Sequence, residues 1–108
     1  LDREMMKYRN DEFEFTVRDI TFFDKAEESW ESAQTGVLVE EVLPGGWAAL
    51  GQLSVGDLLM TVDGTEVKTV EDVEKLLSDV AETEPKTVVL KVLRGIHTLF
   101  VEIEPKWS

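Results

Sequence analysis

The chain is 108 residues long, 43% hydrophobic and 31% charged, which suits one compact domain with a single core and sets it apart from disordered sequences. Its net charge of −12 repels phosphate backbones and anionic lipid surfaces, so nucleic acid and membrane surfaces are disfavoured partners. No apolar run approaches the roughly 20 residues needed to span a bilayer, which argues against membrane insertion by this fragment.

The same charge slightly favours basic or neutral peptides over acidic ones, although solubility alone also accounts for an acidic surface. The chain has no cysteine; disulfides, thiol chemistry and the usual zinc ligand are therefore ruled out, while the compartment stays open. The first residues, Leu1-Asp-Arg-Glu-Met-Met-Lys7, contain no apolar leader and read as part of a longer protein.

Taken in order, Asp2 to Asn10 is compatible with a short helix capped by Asp2. Phe13-Glu-Phe-Thr-Val-Arg-Asp-Ile20 alternates with period two, placing Phe13, Phe15, Val17 and Asp19 on one face of a strand and Glu14, Thr16, Arg18 and Ile20 on the other. Between Thr21 and Thr35, the spacing of Phe22, Phe23, Ala26 and Trp30 predicts a short amphipathic helix within a long connection. Val37 to Leu43 reads as a strand ended by Pro44-Gly45-Gly46, and Trp47-Ala-Ala-Leu50 as one helical turn.

Asp57 to Val62 is the next strand, closed by the hairpin signal Asp63-Gly64. Thr69 caps the clearest helix, with Asp72 in the capping-box position and Val70, Val73, Leu76, Leu77 and Val80 at helical spacing. Ala81 to Lys86 reads as a loop. Val88 to Leu93 and Thr98 to Ile103 should pair across Arg94-Gly95-Ile96-His97. These elements predict an α+β, mainly β architecture: a partly open barrel of five to six strands capped by one long and one short helix.

Little in the sequence points to catalysis. His97, the sole histidine, lies beside a predicted turn, and no serine sits in a nucleophile-elbow setting. The acidic pairs Glu27-Glu28 and Glu40-Glu41 read as solvating charges, whereas acid–base work needs two carboxylates held in opposed environments. The Asp-x-Asp-x-Asp-Gly pattern of a calcium loop is absent, and neither Gly45-Gly46 nor Gly56 opens a phosphate-cradling loop. The reading is a non-enzymatic chain with no catalytic residues, no cofactor and no metal.

The segment from Gly36 to Val67, a strand, Pro44-Gly45-Gly46-Trp47-Ala48-Ala49, Gly56-Asp57, a hydrophobic strand and Asp63-Gly64, resembles the central part of PDZ domains. There it runs Pro-Gly-Ser-Pro-Ala-Ala, then Pro-Gly-Asp, then Asn-Gly. The resemblance covers Phe13 to Ile103, and the order of elements is similar to the circularly shifted form found in bacterial HtrA/Deg-type serine proteases, with the binding loop and strand first and the helix late.

It implies a PDZ domain over 13–104, preceded by a linker or short helix over 1–12 and followed by a tail over 105–108. It further implies that an extended peptide adds as a strand between the first strand and the long helix. Peptide-binding residues would be Phe13, Glu14, Phe15, Thr16 and Val17 on the strand and its loop, and Val70, Glu74 and Leu77 on the helix.

The family's carboxylate-binding loop reads hydrophobic-Gly-hydrophobic, and Glu14 stands at the glycine, where φ > 0 and close backbone approach are needed. Phe13, Phe15, Val70 and Leu77 fit a groove wall and a core wall equally well, and Glu74 fits a groove residue or a solvated helix charge.

The resemblance implies a substrate-recognition or regulatory role in an HtrA-type protease of the periplasm or cell envelope. The partners would be peptide or unfolded-protein segments and the adjoining protease or PDZ domains of the parent chain. Two other readings keep the fold. One is a docking or oligomerisation element using Trp30, Trp47 and Trp107 as anchors. The other is a PDZ module of another envelope machine, such as a secretion component, a tail-processing protease or an intramembrane protease.

Overall fold

The computed structural model describes residues 6–107. Among the described residues, seven antiparallel strands form a single open sheet: β1 (Lys7–Asn10), β2 (Phe15–Asp19), β3 (Val37–Val42), β4 (Leu58–Val62), β5 (Thr65–Glu66), β6 (Val88–Arg94) and β7 (His97–Ile103). Their order is β1-β2-β3-β4-β6-β7, with β5 paired to β4. The helices are α1 (Phe22–Glu28), α2 (Trp47–Leu50) and α3 (Val70–Thr83).

The expected fold class holds. The strand count is higher than the alternation predicts because two short strands, β1 and β5, pair at the margins of the sheet. Period-two burial is clean where it was legible: Val88, Leu90 and Val92 of β6 and Val37 and Val39 of β3 are buried on one face. That face meets Val73, Leu77 and Val80 of α3 in one core. The β6–β7 hairpin turns on Gly95, whose φ of 62° is the left-handed conformation that tight hairpin turns demand.

Four expectations are corrected. Lys7–Asn10 is a strand, not part of a helix; residues 1–5, and with them the Asp2 cap, lie outside the described residues. Tyr8 and Asn10 face the core while Lys7 and Arg9 are exposed, and the β2 ladder satisfies backbone groups that a helix of so few residues would leave open.

Helix α3 continues through Thr83, ending where Glu84 takes a left-handed φ of 48°. The segment over 105–108 is not a free tail as far as Trp107, whose indole Nε1 donates to the Pro85 carbonyl at 2.8 Å and whose ring packs on the core. The fourth correction concerns α1.

Helix α1 forms as expected but buries none of its residues, and Phe22 and Phe23 are each 79% exposed. It is held by polar contacts instead. Thr21 and Asp24 complete a capping box, and Arg18 of β2 grips the Asp24 carboxylate with two bonds of 2.7 and 2.9 Å. The Arg18 guanidinium, helped by the Thr21 backbone N–H, holds the Asp24 carboxyl far below its ordinary value of 3.8.

A carboxylate depressed in the folded state adds stability at neutral pH and loses it as pH falls through the unfolded-state value, near 3.9, toward the folded one. Asp24→Asn should therefore cost about 2 kcal/mol at pH 7. The gap to the parent should narrow steadily below about pH 4, as read by urea melts across that range.

Candidate peptide-binding groove

The site is built from the Asn10–Phe15 loop, β2 and α3. Helix α3 packs against both β1 and β2, and its start is tied to β2 because the Asp19 carboxylate accepts the Val70 N–H at 2.8 Å. Thr69 supplies the helix's own cap, with Asp72 reciprocating. The two elements that a strand-adding ligand would lie between are thus joined at one end, and β1 lies along β2 and against α3.

The loop is set by backbone geometry. Glu14 has φ of 64°, a conformation that costs a residue with a Cβ roughly 1–2 kcal/mol. The Phe13 and Glu14 carbonyls accept from the Ala48 and Leu43 N–H groups at 3.1 and 3.0 Å, which fastens the loop to α2 and the end of β3. Gly46 makes room for it: a Cβ there would stand 2.8 Å from the Glu14 Cβ and 3.1 Å from the Phe13 carbonyl.

Two departures from the family pattern, glutamate for glycine at 14 and glycine for serine at 46, therefore compensate each other in space. Gly46→Ser alone should destabilise by about 1–3 kcal/mol. Combined with Glu14→Gly it should cost at least 1 kcal/mol less than the two single changes added together, a coupling that a double-mutant cycle by denaturant melts reads directly.

Phe13, Phe15 and Val17 are buried, at 1%, 1% and 0% exposure, and Phe13 meets the Trp107 ring in a tilted arrangement with centroids 5.9 Å apart and planes at 58°. Val70 and Leu77 are buried beneath α3, while Glu74 is exposed. Thr16 is largely buried and its hydroxyl reaches the Glu41 carboxylate at 3.4 Å on the far side of the sheet. The structure thus places Phe13, Phe15, Val17, Val70 and Leu77 together in the buried core and leaves Glu74 exposed.

Sequence reasoning missed two residues that lie in this groove, Tyr8 and Asn10. β1 runs antiparallel along β2, pairing Tyr8 with Val17 and Asn10 with Phe15. The Asn10 side-chain Oδ1 accepts from the Phe13 N–H at 2.7 Å and its carbonyl accepts from the Glu14 N–H at 2.8 Å. Asn10 Nδ2 in turn donates to the Tyr8 hydroxyl at 3.0 Å. The only hint in the sequence was an asparagine four residues before a left-handed position, a common turn arrangement.

A family model described as PDZ domain matches residues 8–104. The chain is a PDZ domain. Such a domain is a binding module rather than a catalytic one, and the early β2 and late α3 follow the shifted order. HhoB of Synechocystis, which carries a serine protease's name, is 35% identical over 74 residues, 68% of this chain and 17% of that protein.

The mitochondrial serine protease HTRA2 of Drosophila sechellia is 35% identical over 71 residues, 66% of this chain and 16% of the protease. The chain thus spans about one sixth of the length of the curated relatives it matches. A crystal structure of the HtrA3 PDZ domain bound to a phage-derived ligand, FGRWV, superposes with a TM-score of 0.67 over 95% of this chain and 88% of that one, at 22% identity.

Proposed function

We propose that this PDZ domain is the substrate-recognition or regulatory module of an HtrA-type serine protease, taking extended peptides by strand addition to β2. The observation that carries the reading is the β2–α3 groove itself, which already accommodates an extended antiparallel segment with acceptors on the Phe13 and Glu14 amides. Main-chain pairing would supply affinity, and the apolar wall of Phe13, Phe15, Val17, Val70 and Leu77 would select an apolar terminal side chain. Glu74, exposed at the rim, would favour a basic residue further along the peptide.

The kinship with HhoB and HTRA2 supports a protease parent, and the peptide held by the HtrA3 domain supports the ligand class. The docking reading draws on one observation, the exposure of Phe22 and Phe23 on α1. Trp47 and Trp107 serve it less well, because both pack against the core.

The test is a screen of the domain against free-C-terminal peptides and their amidated copies. Binding on the micromolar scale, about −8 kcal/mol, that is lost on amidation is the expected result. Absence of binding in both sets, with self-association instead, would favour the docking role.

A further inference from the structure

In a sheet ordered β1-β2-β3-β4-β6-β7, a peptide that adds to β2 needs the edge opposite β3. β1 holds that edge. Its direction is also that of such a ligand: antiparallel to β2, with its C-terminal residue, Asn10, at the loop. Asn10 is 8% exposed and presents two acceptor oxygens, Oδ1 and the carbonyl, to the successive N–H groups of Phe13 and Glu14.

Two oxygens on neighbouring amides are what a terminal carboxylate would offer the same loop. Two positions back, Tyr8 turns to the core side and packs against it. A ligand's alternate side chains would make the same contact.

We infer that β1 is a built-in occupant of the peptide groove, with Asn10 standing in for a terminal residue and its carboxylate, so that a peptide binds only when β1 leaves. The inference rests on the peptide-binding reading above. β1 is suited to leaving. It is four residues long, Met6, Lys7 and Arg9 are exposed, and its outward tether is the ion pair of Lys7 with Glu40, a surface contact of small worth. The apparent affinity for peptide is then the intrinsic affinity reduced by the fraction of molecules with β1 released.

The chain's lack of cysteine permits a direct test in the full chain. Arg9 and Thr16 face each other across the β1–β2 ladder, and Arg9→Cys with Thr16→Cys locks β1 when oxidised and frees it when reduced. The probe is the labelled free-acid pentapeptide Met-Lys-Tyr-Arg-Val, which follows residues 6–9 and ends in the apolar residue the peptide-binding reading requires.

The inference predicts at least tenfold weaker binding to the oxidised than to the reduced form. It also predicts at least threefold tighter binding to Asn10→Ala, which loses the bond to Phe13, than to the parent. Equal affinity of the oxidised and reduced forms would overturn it while leaving peptide binding intact.

Amide hydrogen exchange of the parent chain supplies an independent reading. Tyr8 and Asn10 amides exchanging far faster than those of β3 and β4 support the inference, and amides protected as long as those strands overturn it. A fast-exchanging β1 together with no peptide binding to any variant would count against the peptide-binding reading instead.

Discussion

Arg94→Met should destabilise the domain by about 3–5 kcal/mol, the cost of stranding a buried charge. The carboxylate of Asp57 is 1% exposed, yet it accepts from Arg94 Nε at 2.7 Å, from Arg94 Nη2 at 2.8 Å and from the Ser54 N–H at 2.9 Å. Arg94 also reaches the Gln52 carbonyl at 2.9 Å, so one guanidinium from the end of β6 pins the turn that leads into β4. Methionine keeps the aliphatic cover and removes the charge, which leaves Asp57 dry and unpaired.

Arg94→Ala should cost less than Arg94→Met, because it opens a path for water to the carboxylate. Asp57→Ala should cost less still, about 1–3 kcal/mol, since the freed guanidinium, 41% exposed, can turn to solvent while only the Ser54 N–H is orphaned. Urea denaturation of the three variants reads the ranking, and a ranking that places Asp57→Ala highest would show that the buried carboxylate is not what the pair protects.

Phe13→Ala should also cost about 3–5 kcal/mol, the usual range for emptying a buried aromatic site. Its ring is fully buried against Trp107, and its own carbonyl ties the loop to α2 through the Ala48 N–H. Removing the ring opens a cavity directly beneath the loop, so both stability and the Trp107 emission should change. Phe13→Leu, which refills most of the volume, should recover more than half of the loss in a thermal melt. Full loss with leucine would mean that the ring's geometry, not its bulk, sets the loop.

The elements with strong periodicity were legible: β3, β4, β6, β7 and the start of α3 follow alternation, the Asp63-Gly64 turn and the Thr69 cap. β1 was not, because its single sizeable apolar residue, Tyr8, carries no periodic signal and the strand exists only through its ladder with β2. Helical spacing located α1 but said nothing about what its apolar residues would meet, and Phe22 and Phe23 meet solvent.

The site was legible in part for a related reason. Burial of Phe13, Phe15, Val70 and Leu77 follows from pattern, but a groove wall and a core wall share that pattern. The strain at Glu14 could be foreseen from the missing glycine, whereas its relief by Gly46 depends on a contact between residues far apart in the chain.

The central claim is that peptides are bound along β2, and the most direct measurement is residue-by-residue amide mapping of the domain during titration with a free-acid peptide ending in an apolar residue. The account predicts the largest changes at Phe13 to Val17, along Val70 to Leu77, and at Tyr8 and Asn10 as β1 gives way. Changes confined to α1 around Phe22 and Phe23, or to the outer edge of β7, with the Phe13–Val17 amides unmoved, would contradict it.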